Sequence, residues 1–304
     1  MTRSIIQKDF KRNRYIYLMA LPVLAYYLLF HYQPMYGAII AFKDFKPAKG
    51  ILGSPWVGLK HFHTFFTGPY AFRLIRNTFL ISFYELIFGF PAPLLLAILL
   101  NEVLATRYKR MIQTLSYLPH FISLVVICAL IKNFTASTGL VNDIIAFFFG
   151  EKARSTLLQD PSNFRTVYVV SGIWQGVGWG SIIYLAAISK IDQQLYEAAI
   201  IDGAGRFARI MHVTLPGILP TIIIMLILRM GSLMSVGFEK VFLLYNSGIY
   251  ETADVISTYV YRRGIIDTDW SFSAAVGLFN SVVNFVLVVA ANFISGKFSE
   301  TSLW

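Results

Sequence analysis

The chain alternates long apolar stretches with short polar connectors. With Asp, Glu, Lys and Arg taken as boundaries, uninterrupted runs occupy residues 15–42, 111–131, 166–189 and 270–296, while 77–101 is broken only by Glu85 and 210–238 only by Arg229. A helix of about 20 residues crosses a bilayer. The pattern therefore predicts six spans, near 16–37, 78–100, 112–131, 168–189, 217–237 and 274–296. A soluble fold would have to bury all six beneath very little polar surface. The expected fold class is an all-α polytopic membrane protein.

Composition agrees, with 56% hydrophobic residues against 14% charged ones. A formal charge of +10 would suit a nucleic-acid binder only if it were gathered into one solvated patch. Here it is divided among the connectors, and no nucleic-acid partner is expected. Six crossings place both termini on one side. With that side cytoplasmic, segments 1–15, 101–110, 190–209 and 297–304 hold twelve basic residues, while 43–76, 132–165 and 239–269 hold thirteen over nearly twice the length. The bias follows the positive-inside rule. It predicts a multi-pass protein of the cell membrane with an amino-terminal cytoplasmic segment 1–15, a lipid-embedded region 16–296 and a cytoplasmic tail 297–304.

Arg3, Lys8, Lys11, Arg12 and Arg14 precede the first apolar stretch, which is long and lacks a clean small-residue cleavage site, so it reads as an uncleaved signal anchor. The only cysteine, Cys128, falls in the third apolar run and reads as a buried structural thiol. Between Lys43 and Arg76, a cluster of Pro, Gly and aromatic residues suggests a folded external loop. Residues 139–149, GLVNDIIAFFF, are too short to span and predict an interfacial helix.

The strongest motif is YEAAIIDGAGRFARIMHVTLPGILP at 196–220. It reads as a helix–turn–helix: Ala198 and Ala199 permit close contact, Gly203 and Gly205 loosen the chain, and Phe207, Ile210 and Met211 form an apolar face on a second helix. Pro216 and Pro220 mark the transition into the fifth span.

Glu197-Ala198-Ala199, Asp202-Gly203-Ala204, Leu215-Pro216 and Pro220, in a six-span frame, closely resemble the cytoplasmic loop of permease subunits of binding-protein-dependent ABC importers. The resemblance implies a type I importer permease fold with a coupling loop at 190–216. It implies that Glu197 lies on a surface docked to an ATPase, that Asp202 and Gly203 belong to the turn, that Phe207 anchors the second face, and that Pro216 and Pro220 pass motion into the spans. The implied partners are a second permease, two cytoplasmic ATPase subunits and an extracellular solute-binding lipoprotein. ATP and Mg2+ would be used by the ATPases, and this chain would be a non-catalytic subunit that binds no cofactor directly. GLKHF at 58–62, Asn77-Thr78 and YLPHFIS at 117–123 are similar to the carbohydrate branch, the last especially to permeases for complex oligosaccharides. A permease for peptides or another solute and a non-translocating membrane assembly subunit are the alternatives.

Glu85 is costly in lipid unless it faces water or a partner, and an internal hydrogen bond, the permeation path and an inter-subunit face all accommodate it. Arg229 has the opposite charge to pair with it. Trp174, Gln175 and Trp179 lie in a glycine-rich part of the fourth span, where aromatic and amide groups fit either a neutral oligosaccharide passage or a permease–permease interface. Catalytic chemistry finds no support. His61 and His63 lack the companions of a metal site, and Ser181, His212 and Asp202 lack a nucleophile motif.

Overall fold

A computed structural model of the protein describes residues 12–298. Arg3, Lys8, Lys11 and the tail from 299 onward lie outside the described residues. Within them the backbone is almost wholly helical, with an isolated bridge between Lys43 and Trp56 and no strand. Five helical runs are long and apolar enough to cross a membrane. They are α1 (Arg14–Phe42), α3 (Ala71–Glu102), α7 (Phe164–Ile188), α9 (Arg206–Met230) and α12 (Trp270–Phe298). Short helices join them: α2 (Lys60–Thr67), α4 (Thr106–Phe121), α5 (Leu124–Phe134), α6 (Leu140–Phe149), α8 (Gln193–Ile201), α10 (Phe238–Leu244) and α11 (Ile256–Tyr261).

Two expectations need correction. The third span is not a straight helix over 112–131, because α4 and α5 meet at 104°. Pro119 sits in a tight 3-10 turn, Ile122 is extended, and the Ser123 hydroxyl restarts the helix by accepting from Val126 N. The fifth span lies earlier than 217–237. Pro216 and Pro220 are inside a continuous α9, which ends at Met230.

Proline survives within these helices by a recurring device. The residue immediately before Pro34, Pro91 and Pro216 donates its N–H five residues back, from Gln33 to Leu28, from Phe90 to Glu85 and from Leu215 to Ile210. Each bond closes a π turn, which absorbs the register change where proline supplies no N–H and its ring would crowd the preceding turn. In hydrocarbon no water can take that bond instead.

The core gathers around α7, which packs against α3, α4 and α9. One apolar cluster joins Ile81, Cys128, Phe164, Tyr168 and Val241, so Cys128 is a buried thiol. A second joins Leu74, Met234, Ile256 and Phe272, and a third joins Ala97, Tyr184, Ile188 and Ile218. The first turns of α1 stand away from this core: Arg14–Tyr27 buries no residue, and only the Tyr36–Phe42 end packs against α12. The 43–58 connector is folded, with Phe42 stacked on Trp56 at 5.7 Å and Phe45 N donating to Ser271 Oγ at 2.9 Å. Helix α6 forms at 140–149 and exposes Phe147, Phe148 and Phe149. Arg154 clamps its far end to Asp143 and Glu151, holding the Glu151 carboxyl below the usual carboxylate range through the guanidinium hydrogen bond.

Helices α4 and α7 touch through Gly178. A Cβ there would collide with the Ser116 carbonyl oxygen, whereas one on Gly176 would meet nothing within 4 Å. Gly178→Ala is expected to cost about 1–3 kcal/mol through overpacking. Gly176→Ala should leave stability unchanged or slightly raised. Melting of the purified protein in detergent separates the two.

Candidate functional site

Charged side chains from different parts of the chain meet inside the bundle. Glu85 opens the π turn that precedes Pro91 on α3, and Arg229 lies in the last turn of α9. The Arg229 guanidinium donates to the Glu85 carboxylate, so the two charges isolated within apolar runs pair with each other. Lys240 on α10 is 7% exposed; its Nζ donates to the Tyr168 carbonyl at 2.8 Å and lies 4.5 Å from the Tyr168 ring centroid. Gly172 leaves room for this cluster, because a Cβ there would stand 3.2 Å from Lys240 Nζ and 3.7 Å from Glu85 Oε1. The Glu85 carboxylate thus pairs with Arg229 and lies near enough to Lys240 to act on it through space.

A cavity of about 250 Å3 opens beside the pair, lined by Glu85, Gly89, Pro93, Gly172, Gly176 and Arg229 among others. Proline and glycine keep its walls low, and the charged groups give it hydrogen-bonding capacity suited to a polar solute or to water. Trp174, Gln175 and Trp179 are not among its lining residues. Trp174 is 42% exposed, and Trp179 stacks on His120 with ring centroids 4.6 Å apart. Trp179 therefore braces the bend between α4 and α5. Trp174 and Trp179 present much of their surface to whatever surrounds the bundle.

The second constellation lies at the other end of α7. Asp192 caps α8 by accepting from Gln194 N at 2.9 Å. The helix stops in a Schellman closure: Ala204 N donates to Ala199 O at 2.8 Å and Gly203 N to Ile200 O at 3.0 Å. Gly203 sits at φ +79°, a backbone conformation that glycine adopts without the penalty of a Cβ. Asp202 is the last residue before that turn. Tyr196 OH and Thr214 Oγ1, 3.0 Å apart, tie α8 to α9.

Glu197, Ala198, Asp202 and Gly203 are exposed, as are the apolar Ile200, Ile201 and Phe207, the last by 75%. Ala199 is half-buried, and Pro216 and Pro220 are exposed on α9. A groove of about 440 Å3 runs beside this surface, lined by Glu102, Leu104, Ile188, Tyr196, Ile200 and Arg206 among others. An exposed apolar ridge on a rigidly closed turn has the form of a docking element.

Comparison with known proteins agrees with this architecture. Residues 89–300 match the family described as binding-protein-dependent transport system inner membrane component. The chain belongs to this family. It is 48% identical to protein LplB of Bacillus subtilis (strain 168), over 97% of this chain and 92% of the relative. It is 46% identical to the polygalacturonan/rhamnogalacturonan transport system permease protein YteP of the same organism, over 96% and 91%. Among solved structures, it superposes on a chain of a bacterial ABC transporter involved in import of the acidic polysaccharide alginate, with a TM-score of 0.88, 43% identity, and coverage of 97% of this chain and 99% of that one. A second structure of the bacterial alginate transporter, in complex with an alginate pentasaccharide-bound periplasmic protein, gives a TM-score of 0.89 at 42% identity, with the same coverage. Family membership makes this chain a multi-pass membrane subunit of a transport system.

Lys240, Tyr168 and Gly172 are the residues that sequence reasoning missed. Lys240 looks like an ordinary connector charge beside Glu239, and nothing in the order of residues places it against α7. Its position makes the charge cluster asymmetric. Glu85→Gln leaves Arg229 and Lys240 without their shared anion, whereas Arg229→Gln leaves Glu85 beside Lys240. Both side chains of the pair keep a fifth to a third of their surface. Losing Glu85 should therefore cost about 1–3 kcal/mol, less than removing one partner of a fully buried pair. Losing Arg229 should cost less again. Thermal melts of the two variants compare them; equal losses would contradict the shared-anion arrangement.

Proposed function

We propose that the chain is the permease subunit through which an oligosaccharide, delivered by an extracellular binding protein, crosses the membrane inward. The similarity to YteP and to the alginate transporter over nearly the whole chain carries this reading. Both named systems handle carbohydrate polymers, and their likeness to this chain extends through α3, α7 and α9, the helices that line the charged cavity.

In this scheme both termini and the 190–216 loop face the cytoplasm, where α8 docks in a cleft of an ATPase subunit. Two ATPases bind and hydrolyse ATP with Mg2+, a second permease completes the pathway, and this chain performs no catalysis. Glu197 offers a carboxylate to a cationic or backbone partner, and Ala198 and Ala199 allow close approach. Phe207 seats in an apolar recess. The Schellman closure at Gly203 matters because a docking element passes on force only if it does not unwind. Motion of α8 reaches α9 through the Tyr196–Thr214 contact and then travels past Pro216 and Pro220 towards Arg229. A rotation of α9 would shift Arg229 relative to Glu85 and so alter the cavity between α3 and α7.

Reconstitution with the second permease, the ATPases and the binding protein tests the scheme. Wild-type vesicles should accumulate an oligosaccharide in an ATP-dependent manner, and absence of carbohydrate uptake from a correctly assembled complex would reject the substrate class. Gly203→Val places a β-branched residue at positive φ. It should lower uptake at least tenfold and uncouple it from ATP hydrolysis while the two permeases still assemble. Normal coupling in that variant would remove the docking role of the loop.

A further inference from the structure

At the end of the bundle opposite the 190–216 loop, α3 and α7 begin side by side. The amino-terminal end of a helix carries partial positive charge and ordinarily attracts acidic residues. Neither helix has one in its first turn. Arg73 and Arg76 occupy the first two turns of α3 instead, and Arg165 the first turn of α7. Such placement costs electrostatic energy unless an anion is supplied nearby.

Among the described residues one carboxylate is buried, and it is already shared. Asp254 is fully buried and takes Arg262 at 2.6 Å, Arg73 at 3.5 Å and the Thr258 hydroxyl at 2.8 Å. Arg76 reaches only a backbone carbonyl, that of Glu251, at 3.2 Å. Arg165 reaches only the amide oxygen of Asn77, at 2.9 Å. Asn77 is itself fully buried and spends its own N–H groups on the carbonyls of Glu251 and Asp254. Among the described residues no ion pair joins Arg76 or Arg165 to a carboxylate. The two guanidiniums lie close enough to repel each other, and the exposed Glu251 carboxylate offsets that only in part, through space and without an ion pair. The Nε atoms of Arg73, Arg76 and Arg165 and Nη1 of Arg262 are buried without a hydrogen-bond partner.

Two half-buried guanidiniums at the positive ends of two helices hydrogen-bond only to neutral acceptors, and Glu251, whose charge reaches Arg165, forms an ion pair with neither. Arginine suits a carboxylate because its planar fork donates two parallel hydrogen bonds. Arg262 is itself occupied, packed on the Tyr250 ring at 4.7 Å from its centroid, while Tyr250 stacks on Tyr245 at 5.1 Å. Resting on the proposed carbohydrate passage with this end outward, we infer that Arg76 and Arg165 receive the carboxylates of an acidic, uronate-containing oligosaccharide as it enters the permease. The fourth-span tryptophans, which suited a neutral sugar, lie away from this site.

The assembled transporter in nanodiscs tests this with a short fluorescent oligogalacturonate and the same oligosaccharide as its methyl ester, which removes the charge and keeps the rings. Wild type should bind the acid at least tenfold more tightly than the ester at low salt. Arg76→Gln with Arg165→Gln keeps a side-chain donor at each position and should bring acid binding down to the ester's level, leaving the ester unchanged. The double Lys variant retains the charge and should keep most of the preference. Melting temperatures check the fold of each variant. A wild type that binds acid and ester equally overturns the inference, as does a double Gln variant that keeps the preference. A double Gln variant that weakens only docking of the binding protein would assign the cluster to that protein and overturn it too. If neither sugar binds and vesicles take up peptide instead, the carbohydrate reading itself fails, which is a separate outcome.

Discussion

Hydrocarbon supplies no hydrogen-bond partner, and most of this structure follows from that constraint. A proline within a spanning helix must be accommodated by the helix itself, and the π turns before Pro34, Pro91 and Pro216 do so. A charge within a span must find its counter-charge inside the protein, and Glu85 finds Arg229. The two solutions meet at Glu85, which both opens a π turn and carries the carboxylate. Pro93, two residues beyond Pro91, helps to shape one wall of the cavity beside the ion pair.

The same constraint decides which features are legible in the sequence. Gaps between charges delimit α1, α7 and α12 well, because lipid excludes charge whatever the tertiary contacts are, whereas α3 begins at Ala71, ahead of its gap, with Arg73 and Arg76 inside the helix. The bend between α4 and α5 escapes such a count, since hydropathy registers apolar length and not direction. Pro119 is the local clue, but Pro22 and Pro220 lie within helices that continue, so proline alone does not decide between a break and an absorbed defect. Glu85 and Arg229 are legible as a pair because each is alone in its apolar run. Lys240 is illegible because it sits among connector charges while its side chain is carried inward by α10.

The loop at 193–220 shows the complementary case. The order of small residues, glycine and acid is visible in sequence, and the geometry shows what each does. Asp192 starts α8, Ala199 and Ile200 accept the closing bonds, and Gly203 supplies the left-handed turn. Continuity with α9 could not be read in the same way. The Ile210–Thr214 π turn removes the interruption that Pro216 would otherwise impose, so α8 leads through the Gly203 turn into a single continuous helix reaching Arg229. In the proposed scheme loop and helix together act as a lever, and the far end of α9 carries half of the intramembrane ion pair.

If that lever operates, the space beside the Glu85–Arg229 pair must change when the ATPases close. Cys128 is the sole cysteine and is buried, so a Cys128→Ser background carrying Gly176→Cys places one thiol on the cavity wall at a position with free space around it. The rate at which a membrane-impermeant thiol reagent labels it in the reconstituted transporter reports exposure of the cavity. A several-fold difference between nucleotide-free and ATP-trapped states is the predicted result; equal rates in the two states would contradict the coupling of loop to cavity.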